Sequence, residues 1–368
     1  MARVTLAGVS KKYGKTQALD NISLDVKDRE FLVILGPSGA GKTTLLNLVA
    51  GVIEPTAGEV FFDGEPVGHL EANQRNVAMA FESYALYPNR TVYENIAFPL
   101  QAPGRKLSAQ EIDQKVKKVA EILGITHVLE HKPGEISNGQ KQRTSLGRAM
   151  VRNPRVLLLD EPLSHLDAKL RHHMRTELKA LQSVLNTTTL YVTHDYLEAL
   201  ALADRVAVIN HGKLEQLGTR DEVFGRPANT FVAAALGQPE INLVAATVKA
   251  EGTELKVASE DGLISLPVPA QLKAAVRALP TASVTLGVRP IHAELATDDG
   301  RPQVHGHVYA FERFGTKGIL TVTAGQNRLV ALLDKDQALP VNAPVTLGLD
   351  AGELMLFHPE TGRNLAYA

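Results

Sequence analysis

The sequence predicts an α/β domain built on a buried parallel sheet, with a helical subdomain, followed by a smaller all-β domain. Two observations lead there. Up to about residue 236, short continuous apolar runs alternate with helix-length segments, as they do where parallel strands are covered on both faces. Beyond Gly237 the helical period disappears, and short β-like segments follow one another between Gly, Pro, Asp and Asn.

The N-terminal stretch MARVTLAGVSKKYGK alternates apolar and polar positions and has no long apolar run, so it reads as a first strand and not as a secretory signal. Phe31–Leu35 (FLVIL) is wholly apolar and runs into a glycine-rich turn. The spacing predicts a helix over 42–50, burying Leu45, Leu46, Leu48 and Val49, with Gly51 as its C-terminal stop. Ser108 and Glu111 have the spacing of a capping box, and Leu107 and Ile112 that of a hydrophobic staple. Val156–Leu159, Leu190–Val192 and Val206–Ile209 read as further buried strands. A helix from about Ala168 to Leu185 sets Leu170, Met174, Leu178, Leu181 and Leu185 on one face. Arg171, Arg175 and Lys179 fall on the other, which reads as an ordinary solvated side. In the C-terminal part ATVKA, LKVAS, LISLPV, VTLGVRP, HVYAFERF, GILTVTA, RLVALL and PVTLGLD recur as in a small barrel or sandwich.

Composition narrows the function. The 368 residues suffice for two domains, and 44% hydrophobic content suffices for their cores. A formal net charge of −1 weighs against a nucleic-acid binder, which would carry a basic excess. The absence of cysteine removes disulfides, thiolate metal sites and cysteine nucleophiles, and fits a reducing cytosol. Apolar stretches fall far short of the ~20 residues of a membrane-spanning helix, so the chain reads as soluble and reaches a membrane only through a partner.

Gly36-Pro37-Ser38-Gly39-Ala40-Gly41-Lys42-Thr43 matches G-x-x-x-x-G-K-[ST] in full, between a strand and a helix, with Thr44 next in line. The glycines let backbone N–H groups wrap phosphates, and the helix N-terminus adds its positive dipole end. Lys42 would contact the β- and γ-phosphates of a nucleotide, and Thr43 would offer its hydroxyl to Mg²⁺. Val156-Leu-Leu-Leu-Asp160-Glu161 supplies the other half: Asp160 ends a buried strand where it can reach the metal shell, and Glu161 follows where a carboxylate could polarise water. No Asn-Lys-x-Asp motif for guanine is present.

The branch is set by Ile136-Ser137-Asn138-Gly139-Gln140-Lys141-Gln142-Arg143, which resembles the Leu-Ser-Gly-Gly-Gln signature of ATP-binding cassette ATPases. The resemblance gives roles to other positions. Tyr13 stands where the family stacks an aromatic on adenine, Ser164-His165-Leu166-Asp167 resembles the D-loop that crosses to the partner subunit, and His194 occupies the switch-histidine position. Segments at Ser83–Pro88, Thr193–Ile209, Pro227–Gly237 and Gly287–Pro290 look like the importer ATPases for sugars, polyols and glycerol phosphate. The implied layout is an ABC nucleotide-binding domain over 1–236, its helical subdomain at about 84–150, and an OB-like (TOBE) accessory domain over 237–368. Also implied are a head-to-tail ATPase pair at the cytoplasmic face of a bacterial inner membrane, and two permease subunits docking near Ser83–Pro88. An extracytoplasmic solute-binding protein completes the set. ATP would lie between the 36–43 loop of one subunit and Ser137, Asn138, Gly139, Gln140 and Asp167 of the other.

Two positions depart from the family. Glu82 stands where a glutamine normally touches Mg²⁺ and senses the γ-phosphate; a carboxylate can ligate the metal but adds negative charge near phosphate and Glu161. Asn138 replaces the first signature glycine, and asparagine tolerates left-handed backbone better than most residues. These leave a second reading open, a catalytically degenerate, regulatory half of a pair with a non-identical ATPase.

Overall fold

The computed structural model describes the chain except for residues 1, 82, 103–106, 165, 186, 253, 297–299, 335, 336, 338 and 368 and the side chains of 173 and 181–185. It folds as two compact units, Met1–Arg220 and Asp221–Ala368. Among the described residues no helix is long and apolar enough to cross a membrane.

In the first unit the apolar runs become a six-stranded sheet in the order Lys213–Thr219, Arg205–Asn210, Phe31–Leu35, Thr188–Thr193, Val156–Asp160, Val77–Ala80. Every neighbouring pair is parallel except the first, which is antiparallel. Phe31–Leu35, Val156–Asp160 and Thr188–Thr193 are buried at every position, the physical reason why the runs FLVIL, VLLL and LYV within them show no polar alternation. Helix Lys42–Ala50 packs Leu45, Leu46, Leu48 and Val49 into the same core as Leu32, Ile34, Leu158 and Leu190. Gly51 ends it in the left-handed conformation, φ 76°. An antiparallel sheet of Thr16–Val26, Val4–Tyr13, Ala57–Phe62 and Glu65–Pro66 shares this core through Val4, Leu6, Ile22 and Phe62.

The stretch expected to be helical holds Val92–Ala97, Ala109–Ile122 and Asn138–Met150. Each begins with a reciprocal capping box: Thr91 with Glu94, Ser108 with Glu111, Ser137 with Gln140. A Cβ at Gly147 would lie 3.1–3.3 Å from Leu123, Ile96 and Val119, so the three helices converge on that glycine. The helix Ala168–Leu185 buries Met174 and Leu178; the side chains of Leu181 and Leu185 lie outside the described residues. Its other face is not simply solvated, because Lys179 Nζ donates to Leu202 O at 2.9 Å and Arg171 is engaged as described below.

The second unit contains two five-stranded antiparallel sheets around one core that includes Val257, Leu286, Val304, Leu320, Leu347 and Leu356. All eight β-like sequence segments fall on strands, and Ala293–Leu295 and Met355–Phe357 add two that are too short to show a period. This all-antiparallel arrangement is that of an OB-like domain. Residues 221–236, which the sequence reading places before the boundary, pack with this unit. One tie is Arg289, 2% exposed, whose guanidinium donates to Leu236 O and Phe224 O, both at 2.6 Å, and lies 4.0 Å from the Phe224 ring. Burial pushes its pKa down to about 10, which leaves it a cation at neutral pH.

Candidate functional site: three strand ends on one rim

Parallel pairing sets the C-terminal ends of three strands on one rim, with Leu35 registered against Thr193 and Val192 against Asp160. The residues that follow, Gly36, His194 and Glu161, therefore emerge side by side, where open α/β sheets bind ligands.

The loop 36–41 can be shaped only by glycine at two points. A Cβ at Gly36 would overlap the carbonyl oxygen of Ile209, and Gly41 has φ 102° with Ala18 O only 2.5 Å from where a Cβ would stand. Pro37, Ser38 and Gly39 are exposed, Ala40 is buried and Thr44 half-buried. Lys42 is only 5% exposed, and its ammonium is fully engaged: Nζ donates to Gly36 O and Pro37 O, each at 3.0 Å, and pairs with Glu161 Oε1 at 3.3 Å. A buried cation without such partners would be costly. Thr43 Oγ1 donates to Asp160 Oδ1 at 3.1 Å, which puts a hydroxyl and a buried carboxylate together.

Glu161 has φ 44°, a region that non-glycine residues rarely occupy. Neighbours on both sides hold it there. Its N–H donates to Val192 O at 3.0 Å, and its carbonyl accepts from Ser164 N at 3.2 Å and Ser164 Oγ at 2.9 Å. Its second carboxylate oxygen accepts from His194 Nδ1 at 2.8 Å. One carboxylate thus bridges Lys42 and His194.

Two residues behind this bridge gave no recognisable signal in the sequence. Arg171 Nη1 pairs with Asp195 at 3.4 Å, while Nη2 donates to Leu166 O at 3.1 Å and Ser164 O at 3.3 Å. It thereby ties the 164–167 loop to the turn that carries His194. Helical spacing shows only a basic residue opposite the apolar face, and that pattern is shared with any surface arginine. Glu198, 2% exposed, accepts from Thr193 Oγ1 at 2.7 Å and Tyr191 OH at 2.8 Å, and burial pushes its carboxyl pKa up. In sequence it resembles a first-turn helix acid.

The signature segment opens the helix Asn138–Met150, with Ser137 as N-cap. Asn138 is its first helical residue, is exposed and does not adopt left-handed backbone. Gly139 is the constrained position, since a Cβ there would meet Leu170 Cδ2 at 2.5 Å. Gln140 completes the capping box, accepting from Ser137 N at 2.9 Å. Asp167 Oδ1 accepts from Leu170 N at 2.9 Å. Tyr13 is 48% exposed at a strand end, with Lys11 Nζ 5.2 Å from its ring centre. Glu82 and His165 lie outside the described residues.

A phosphate-wrapping loop at one strand end with carboxylates at another is the build of a P-loop nucleotide-hydrolysing domain, the class to which the first unit belongs. The family model for ABC transporter matches residues 19–164. The chain is 42% identical to the sn-glycerol-3-phosphate import ATP-binding protein UgpC of Escherichia coli strain K12, over 99% of this chain and 100% of that protein. It belongs to the ABC transporter family, as an ATP-binding ATPase subunit of the importer kind. It is also 53% identical to the trehalose/maltose import ATP-binding protein MalK of Thermococcus litoralis, over 68% of this chain and 69% of that protein. Among solved structures, a dimeric ATP-binding cassette in a post-hydrolysis state bound to ADP and Pi matches with TM-score 0.54 and 31% identity, covering 59% of this chain and 98% of that one.

Proposed function

We propose that the chain is the motor of an importer for a small polar solute, a sugar, polyol, glycerol or glycerol phosphate. It would work as one of a head-to-tail ATPase pair at the cytoplasmic face of a bacterial inner membrane. Glu161 held between Lys42 and His194 carries this reading. An ammonium has three protons to donate, and here two go to Gly36 O and Pro37 O and the third to Glu161. A γ-phosphate entering the loop competes for that third donor. Glu161 Oε1 is then released to take a proton from the attacking water, while His194 keeps the carboxylate oriented through Oε2.

The pairing of the Thr43 hydroxyl with the Asp160 carboxylate suits Mg²⁺, a hard cation that takes few protein ligands and completes its shell with water and phosphate oxygens. When bound, the metal would neutralise charge on the phosphates. Glu82 is a further ligand by its sequence position. The exposed Ser137–Asn138 turn is available to a nucleotide in the partner, and Asp167 to the partner's loop. A groove of about 990 Å³, lined by Ala85, Tyr87, Phe98 and Ala102 beside Ser83–Pro88, would receive the permease. The C-terminal unit, an OB-like accessory domain, would dimerise or regulate, and a solute-binding protein outside the membrane would deliver cargo.

Glu161→Gln tests the reading. With ATP it should form a stable dimer on a sizing column while turnover falls by roughly 10²–10⁴. Near wild-type turnover would rule out Glu161 as the base, and a monomer at saturating ATP would rule out the head-to-tail pair.

A further inference from the structure

Tyr84 and Ala85 follow one another in left-handed backbone, with φ 60° and 45°. L residues seldom adopt that conformation, and a consecutive pair persists only where neighbours impose it. Here both carbonyls are held from one helix. Arg148 Nη1 donates to Ala85 O at 2.6 Å and Nη2 to Tyr84 O at 2.9 Å, and Ser145 Oγ donates to Tyr84 O at 2.9 Å. Asn95, fully buried, fixes the next part of the loop by accepting from Tyr87 N at 2.8 Å and donating to Tyr87 O at 3.1 Å.

Arg148 therefore stands at a junction. It lines the groove together with Ala85 and Tyr87, and it belongs to the helix whose first turn is the Ser137 signature. The loop that it holds begins two residues after Glu82. Gln142 lies one turn before Ser145 on the same helical face, is 2% exposed, and its amide nitrogen and oxygen have no hydrogen-bond partner among the described residues. Buried amides are nearly always paired, so a second seating of loop against helix could satisfy what this one leaves unmet.

We propose that Arg148 is the positioning residue that transmits permease docking to the nucleotide site. Its two-pronged hold makes the 84–85 loop and the signature helix move as one body. A segment pressed into the groove then shifts the Ser137 turn offered to the partner's nucleotide. This rests on the docking reading above.

Arg148→Lys keeps the charge but loses the fork. In the transporter assembled with its permease subunits, the ratio of permease-and-solute-stimulated to unstimulated ATP turnover should fall roughly five- to tenfold. Adding Ala85→Gly, which takes left-handed backbone without strain, should restore thermal stability and leave the ratio low. A ratio equal to wild type in Arg148→Lys, or restored by Ala85→Gly, overturns the proposal by making Arg148 a structural clamp only. Phe98→Asp tests the layer beneath and should prevent permease co-purification. If permease still co-purifies and stimulates normally, the docking reading fails, and this proposal with it.

Discussion

The ammonium of Lys42 stands 3.3 Å from a carboxylate oxygen of Glu161, both groups largely withdrawn from solvent. The lysine proposed to bind nucleotide and the base of the proposed mechanism are thus one ion pair in this structure. Lys42→Met would leave the Glu161 carboxylate without its cation and the Gly36 and Pro37 carbonyls without their donor. ATP affinity should fall at least about tenfold, a loss on the order of 1.4 kcal/mol, measured with a fluorescent ATP analogue. Unchanged affinity would show that Lys42 makes no phosphate contact.

His194 donates to the other oxygen of that carboxylate at 2.8 Å. His194→Ala should preserve nucleotide binding and lower turnover by roughly 10²-fold, because the base loses its orientation rather than its identity. Steady-state phosphate release checks this, and a rate within threefold of wild type contradicts it.

Arg171 joins the carbonyls of Ser164 and Leu166 to Asp195, which caps the helix Tyr196–Leu202. Arg171→Met keeps the stem packed and removes the link. ATP turnover should drop roughly tenfold, and Arg171→Lys, with one point charge for three acceptors, should recover little of it. A variant that loses stability but retains turnover per folded molecule would assign Arg171 to folding alone.

Gly139 and Asn138 are neighbours with opposite tolerances. Gly139→Ala drives a methyl into Leu170 and should cost about 1–3 kcal/mol in urea unfolding of the first unit. Asn138→Gly touches an exposed first helical residue and should change stability by less than about 1 kcal/mol. Equal effects would contradict the packing account.

Glu198 carries a carboxyl whose pKa burial raises above its ordinary 4.5. Below that value both folded and unfolded chains hold the proton. As pH rises through the window between the ordinary and the raised value, the native state binds more protons, so stability declines. Above the window both states are ionised and the penalty is constant. Glu198→Gln still accepts from Thr193 and Tyr191 through its amide oxygen. It should abolish that decline, read as the urea midpoint followed upward from pH 4. A variant with the wild-type slope would place the titration elsewhere.

The order of chemistry along the chain was legible without coordinates. The loop 36–43, Asp160–Glu161 and the 137–140 signature are each local patterns, because a phosphate-wrapping turn or a capped helix start needs its residues within a few positions of one another, whereas His194 was placed only by its resemblance to the family's switch-histidine position. The buried strands were legible for a similar reason, since burial on both faces forces an unbroken apolar run. The short strands Ala293–Leu295 and Met355–Phe357 escaped because three residues cannot display a period. Tertiary structure alone decided what depends on register and on side chains reaching between elements. The pairing of Leu35 with Thr193 and Val192 with Asp160 brings Lys42, Glu161 and His194 within ion-pair distance. Arg171, Glu198, Arg148 and Arg289 drew their roles from carbonyls and hydroxyls that no sequence pattern marks, because every residue carries a carbonyl and only the fold determines which of them a guanidinium can reach.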